Sequence, residues 1–137
     1  MATNIGTSGN DKIIGKNFAE MLFGKAGNDR LIGKSGDDII TGGKGNDVMS
    51  GGGGADRFVF GRKATGKDVI TDFDVTKDIL QIPKGLNSIN SAKDVLKHAV
   101  QKGSDVIIDL GHDNTIKLKN VDLDDLKSHP GDHFDIV

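Results

Sequence analysis

Residues 24–59 decide the fold: GKAGNDRLI (24–32), GKSGDDIIT (33–41), GGKGNDVMS (42–50) and GGGGADRFV (51–59) say the same thing four times at an interval of nine. Two further units, GTSGNDKII (6–14) and GKNFAEMLF (15–23), join upstream without a gap, so the register holds for six units. Position 1 is Gly in all six, position 4 is Gly in five, and position 6 is Asp in five and Glu in one. Position 8 is always large and apolar: Ile13, Leu22, Leu31, Ile40, Met49 and Phe58. Internal repetition of this kind marks a solenoid.

Each unit offers a six-residue turn and a three-residue segment centred on the apolar position. That segment is too short for a helix and long enough for one short strand. If successive strands lie in two facing sheets, one coil takes two units and every position-8 side chain points between the sheets. The expectation is an all-β parallel β-roll, with positions 7 and 9 facing outward.

Coil spacing then bears on the acidic residues. Strands stack about 4.7–4.9 Å apart, which brings position-6 carboxylates 18 residues apart into opposition. Two such charges about 5 Å apart repel by about 3 kcal/mol at an effective dielectric of about 20. Calcium takes six to eight oxygens at about 2.3–2.6 Å, and twice that length is close to the coil spacing, whereas magnesium with bonds of about 2.1 Å fits less well. Gly at positions 1 and 4 is expected to adopt positive φ and turn carbonyls toward the ion. Lys at position 2 is expected to cost nothing, since only its carbonyl is used.

The pattern resembles the RTX (repeats-in-toxin) nonapeptide GGxGxDxUx, a calcium-binding repeat. The segment ADRFVFG (55–61) followed by DVITDFDVTKDILQI (68–82) also resembles the stretch after the roll in serralysin-type proteases and alginate-epimerase R-modules. The resemblance implies that one loop contributes the carbonyls of positions 2 and 4 with its carboxylate, and the loop 18 residues on contributes carbonyls 1 and 3 with its own. Thr7, Gly9 and Asp11 are then expected to pair with Gly24, Ala26 and Asp29. Lys25, Gly27 and Asp29 pair with Gly42, Lys44 and Asp47, and Lys34, Gly36 and Asp38 with Gly51, Gly53 and Asp56. The pairing of Lys16, Phe18 and Glu20 with Gly33, Ser35 and Asp38 departs from the pattern at Phe18 and Glu20. By spacing alone Asp47 meets Thr65 and Asp56 meets Asp74, while the resemblance offers Asp72 and Asp78 to complete a terminal site with the sixth unit.

Composition divides the chain in two, with most of its 20 glycines in the first half and ordinary globular composition after it. The expected division is a roll over residues 1–60 and a C-terminal cap over 61–137. In the cap, residues 67–82 alternate as strands until Pro83 and Gly85. Ser91 and Asp94 form a capping box opening one short helix, SAKDVLKHAVQKG, ended by Gly103. SDVIIDL, GHDN and TIKLKNV read as strand, turn, strand. The final DHFDIV reads both as a last strand and, by resemblance, as a type I secretion signal.

A net charge of -2 argues against a nucleic-acid partner. No stretch is apolar enough for a membrane span, no cleaved secretory signal opens the chain, and the absence of Cys removes disulfides and thiolate metal sites. No HExxH, GxSxG or Walker motif occurs. His98, His112, His129 and His133 each have an ordinary structural reading, with Pro130 and Gly131 breaking any helical pairing of the last two. Catalysis is not expected in this chain, which reads as a non-catalytic module of a secreted enzyme or as a protein by itself. The functional expectation is a secreted, extracellular module that binds several Ca2+ ions, folds on binding them and leaves by type I secretion machinery. The alternative is a polysaccharide-binding module, with outward Lys and Arg at positions 2 and 7 meeting an anionic glycan.

Overall fold

A computed structural model describes residues 1–62 and 66–137. The nonapeptides give one short strand each: β2 (Lys12–Ile14), β3 (Glu20–Phe23), β4 (Arg30–Ile32), β5 (Ile39–Thr41), β6 (Val48–Ser50) and β7 (Arg57–Val59), preceded by β1 (Ala2–Ile5). After them come β8 (Lys67–Ile70), β9 (Ile79–Ile82), α1 (Ala92–Lys97), β10 (Ala99–Lys102), β11 (Asp105–Gly111), β12 (Asn114–Leu118), α2 (Leu123–Lys127) and β13 (Phe134–Ile136).

Strands are dealt alternately to two sheets, ordered β1-β3-β5-β7-β9-β13 and β10-β11-β12-β8-β6-β4-β2. Within the roll every neighbour pair is parallel and 18 residues apart, as in Ile13 beside Leu31 and Leu31 beside Met49. The fold is the expected parallel β-roll of about four coils. The position-8 side chains meet between the sheets, where Leu22, Leu31, Ile40, Met49 and Phe58 are at most 1% exposed. At the turns, the Asn28 amide donates to Asn10 Oδ1 and the Asn46 amide to Asn28 Oδ1, both at 2.8 Å, tying coil to coil.

Both sheets run on past residue 60. β8 pairs in parallel with β6 and β9 with β7, so the division there is a change of local sequence and not a break in the sheets. The core continues through Ile70, Leu80 and Ile82 into Val106, Ile108, Ile116, Leu118, Leu126 and Phe134. The C-terminal end is closed by the antiparallel β10-β11-β12 ribbon on one sheet and by β13, parallel to β9, on the other. Covering a solenoid's last coil removes a strand-pairing template.

Two cap expectations need correction. The capping box of Ser91 and Asp94 is present, but the helix stops at His98 and residues 99–102 form β10 against β11, well before Gly103. There Val100 stands opposite Ile107 and Gln101 opposite Val106, and the Asp109 amide donates to the His98 carbonyl at 2.9 Å. The cap also holds a second helix, α2, whose Asp122 side chain caps the Asp124 amide. The GHDN hairpin turns on His112 and Asp113, both with positive φ, a geometry that suits the twist of the flanking strands.

Candidate metal centre

The position-6 acids form two columns along the turns. In one, the Asp11 amide donates to Asp29 Oδ1, the Asp29 amide to Asp47 Oδ1 and the Asp47 amide to Asp68 Oδ1, at 2.8–2.9 Å. In the other, Glu20 donates to Asp38, Asp38 to Asp56 and Asp56 to Asp78 in the same way, each at 2.9 Å. From Asp29 onward each of these carboxylates thus accepts, with one oxygen, from the backbone amide of the acid one coil back and does not face a second carboxylate oxygen there.

The other oxygen separates two kinds of loop. Oδ2 of Asp29, Asp38, Asp47 and Asp56 is buried with no hydrogen-bond partner. An unsatisfied carboxylate oxygen in the interior costs several kcal/mol, by order of magnitude, unless a proton or cation meets it. Burial, the largest influence, pushes Asp38 and Asp47 up to about 6 and Asp56 and Asp68 up to about 7, with neighbouring acids adding and the backbone amide bonds opposing. Asp29 and Asp78 are raised for the same leading reason.

The glycine at position 1 keeps space open beside each of these oxygens. A methyl group built on Gly24 would stand 2.5 Å from Asp29 Oδ2 and 2.6 Å from the Gly42 carbonyl oxygen, and one on Gly33 would meet Asp38 Oδ2 with the Gly51 carbonyl oxygen at 2.9 Å. An unpartnered carboxylate oxygen and the position-1 carbonyl of the next coil therefore converge on a space from which side chains are excluded. That donor set suits a hard cation of calcium's type. Among the described residues no three His, Cys, Asp or Glu side chains group as a metal site, and the oxygens beside these carboxylates include the backbone carbonyls of Gly42 and Gly51.

The glycine expectation is corrected in part. From the third repeat on, position 4 is left-handed, as at Gly27 with φ 96°, while Gly9 and Phe18 are not; no position-1 glycine has positive φ, and the second left-handed residue is position 2: Lys25 at 72°, Lys34 at 75°, Gly43 at 89° and Gly52 at 80°. Position-1 glycine is needed for close approach, not for its dihedral. Lysine at position 2 is not free of cost either, since a left-handed non-glycine residue carries about 1–2 kcal/mol of strain.

The first coil is wired differently. Asp11 Oδ2 accepts from the Thr7 amide at 2.6 Å and the Thr7 hydroxyl at 3.1 Å, and Glu20 Oε2 accepts from the Lys16 amide at 2.9 Å and from Asn4 Nδ2 at 3.3 Å. Gly9 donates to Thr7 Oγ1 at 3.1 Å, and Phe18 is 50% exposed. The carbonyls of Lys25 and Lys34 accept coil-to-coil bonds from Lys44 and Gly53 at 2.8 Å, leaving one lone pair each. Ala26 and Ser35 occupy the third position of their turns.

Beyond the repeats the pairing differs from simple spacing. Asp56 meets Asp78, not Asp74, because 22 residues separate them in place of 18. Asp47 meets Asp68, 21 residues on, whereas Thr65 lies outside the described residues. Asp72 uses its oxygens on Ser50 Oγ and the Gly51 and Gly52 amides at 2.7–3.0 Å. Asp78 accepts from the amides of Asp56 and Asp74, so both of its oxygens are satisfied. The sequence reading missed Asp68, whose signal was GKDVI (66–70), a repeat of positions 4 to 8 after an insertion, with Gly66 left-handed at 125°.

Residues 23–58 match the family model of the RTX calcium-binding nonapeptide repeat (4 copies). Over those residues the chain is similar to RTX calcium-binding repeats. No curated protein matches it. Among solved structures, the roll and its cap resemble the extracellular lipase LipA from Serratia marcescens, 27% identical with a TM-score of 0.71 over 89% of this chain and 19% of the lipase. The AlgE6R3 subunit of the Azotobacter vinelandii mannuronan C5-epimerase is 25% identical, TM-score 0.64, over 96% of this chain and 80% of that subunit. The AlgE6R2 subunit, 24% identical with a TM-score of 0.69 over 96% and 90%, shares the fold. The chain thus spans about a fifth of the lipase but most of each epimerase subunit.

Proposed function

We propose that this RTX module folds on binding extracellular Ca2+ and so supports the type I secretion or folding of itself or of an attached domain. The observation that carries the reading is the row of buried, unpartnered Oδ2 atoms at Asp29, Asp38, Asp47 and Asp56. Bound calcium would supply the positive charge that these oxygens lack and draw carbonyls of adjacent coils to a common centre. Ions that bind only the folded roll stabilise it by mass action. In a low-calcium cytoplasm the same carboxylates, together with the conformational entropy of the glycines, hold the chain open. That is the state a type I exporter takes, and the C-terminal DHFDIV is its proposed signal.

Circular dichroism in excess chelator and in millimolar calcium tests the coupling, with calorimetry giving the binding. The expected result is a largely unfolded chain that gains β structure as ions bind. Full β structure in chelator at neutral pH would contradict the coupling, and absence of binding would contradict the whole reading.

A second reading has its own observation. On the outer face of one sheet, Lys12, Arg30 and Lys117 fall in one row with Val48 and Val69. A cavity of about 350 Å³ at the Val69 and Lys117 end of that row is lined by Lys67, Lys102 and Lys117, with Asp68 also in its wall. Among the described residues the ion pairs are Arg57–Asp135 and Lys97–Asp94, so these cations have no acidic partner within 4.0 Å. An anionic polysaccharide lying across the strands would meet them. Salt-sensitive binding of mannuronan, weakened in a K12Q/R30Q/K117Q variant, supports this reading, and binding unaffected by salt and variant counts against it.

A further inference from the structure

Resting on the calcium reading, we infer that the ion ladder of this chain begins at the third repeat: the gaps entered by Asp29, Asp38, Asp47 and Asp56 take ions, and the two gaps entered by Asp11 and Glu20 take none. The first repeat, GTSGND, carries Gly and Asp at the consensus positions, whereas the family-model match begins at residue 23, with the third repeat.

The backbone at position 2 makes the difference. Where position 2 is left-handed, at Lys25, Lys34, Gly43 and Gly52, the carboxylate four residues on keeps a buried oxygen with no partner. Thr7 and Lys16 are not left-handed, and their amides donate to the Asp11 and Glu20 carboxylates at 2.6 and 2.9 Å. The Thr7 hydroxyl and Asn4 add further donors. A cation entering there would have to break bonds that already satisfy the oxygens.

The side chains at position 2 record the same boundary. A Cβ on Gly43 would collide with the Lys25 carbonyl and one on Gly52 with the Lys34 carbonyl, because each stacks on a left-handed residue one coil back. Lys25 and Lys34 stack on repeats whose position 2 is not left-handed, so a Cβ is admitted. The change from Lys to Gly between the fourth and fifth repeats is what a left-handed column starting at the third repeat requires. At the other end of the column of Glu20, Asp38 and Asp56, Asp78 has both oxygens bonded to amides and leaves none for an ion.

The first coil is then a calcium-independent cap on a calcium-dependent roll. Native mass spectrometry and calorimetry of the full chain with Ca2+ test this, alongside D11N, E20Q and D47N variants checked for folding by circular dichroism. Four ions in the parent, four in D11N and E20Q, and fewer in D47N is the expected result. Five or six ions in the parent, or an ion lost in folded D11N or E20Q, overturns the register while leaving calcium binding intact. No ions in any variant overturns the underlying reading itself. Should D11N or E20Q fail to fold, amide exchange at Lys16 in the parent decides: a protected N–H in saturating calcium supports the register, and loss of protection overturns it.

Discussion

The Asp29 amide donates to Asp47 Oδ1 at 2.8 Å while Asp29 Oδ2, on the same residue, is buried with no partner. One residue thus holds two coils together through its backbone and leaves a charge between them unanswered.

Removing the charge at one loop tests that balance. Asp38→Asn is expected to raise the calcium concentration needed for half-folding several-fold, since one ion loses its carboxylate while amide-to-oxygen stacking on Glu20 persists. The calcium dependence of the circular dichroism signal measures it. In chelator the same variant is expected to be no less structured than the parent, because a neutral amide relieves a buried charge.

The acidic columns set a pH dependence. The folded carboxylates of Asp38, Asp47, Asp56 and Asp68 lie at about 6 to 7 against an ordinary 3.8, so between about pH 4 and 7 the folded state binds more protons than the unfolded one. Their contribution to metal-free stability is then present at low pH and is lost as pH rises through 6 to 7. Chelated protein is expected to hold more β structure at pH 5 than at pH 8. With calcium the direction reverses, because protons compete for the same oxygens, and the calcium midpoint moves up as pH falls from 8 to 6. Chelated protein that gains structure on going from pH 5 to pH 8 would contradict the assignment.

Position 2 carries opposite consequences at neighbouring coils. Lys25→Gly removes left-handed strain of about 1–2 kcal/mol and adds unfolded-state entropy of somewhat smaller size, for a net gain of up to about 1 kcal/mol in calcium. Gly43→Ala drives a methyl into the Lys25 carbonyl and is expected to destabilise by about 2 kcal/mol or more. Denaturant melts in saturating calcium read both.

The C-terminal strand is held by packing more than by charge. Arg57 and Asp135 meet at 2.7 Å, but both side chains are partly exposed, and Asp135→Asn is expected to cost under about 1 kcal/mol. Phe134 is 3% exposed, and Phe134→Ala is expected to cost about 3–5 kcal/mol. If DHFDIV is the export signal, folding hides its phenylalanine.

The nine-residue period made the roll legible, because the glycine at position 1, the acid at position 6 and the apolar residue at position 8 each answer one requirement of a coil: close approach, charge and core. Legibility ended where the requirement is three-dimensional. That Thr7 and Lys16 turn their amides onto the acids, while Lys25 and Lys34 do not, is not written in the residue type, since Lys16, Lys25 and Lys34 are the same residue at the same position. Asp68 escaped because an insertion moved it from the nine-residue register, although GKDVI kept the local pattern. In the cap, His98 to Lys102 favoured helix locally, and the β11 edge offered that segment a better set of partners.

The most direct test of the central claim is a calcium titration of the full chain at pH 7.5, following heat and circular dichroism in the same sample. Binding that saturates with a gain in β structure is the expected result. Binding with no change in structure, from a chain already folded in chelator, would contradict the claim that the unpartnered carboxylates keep the roll open until calcium arrives.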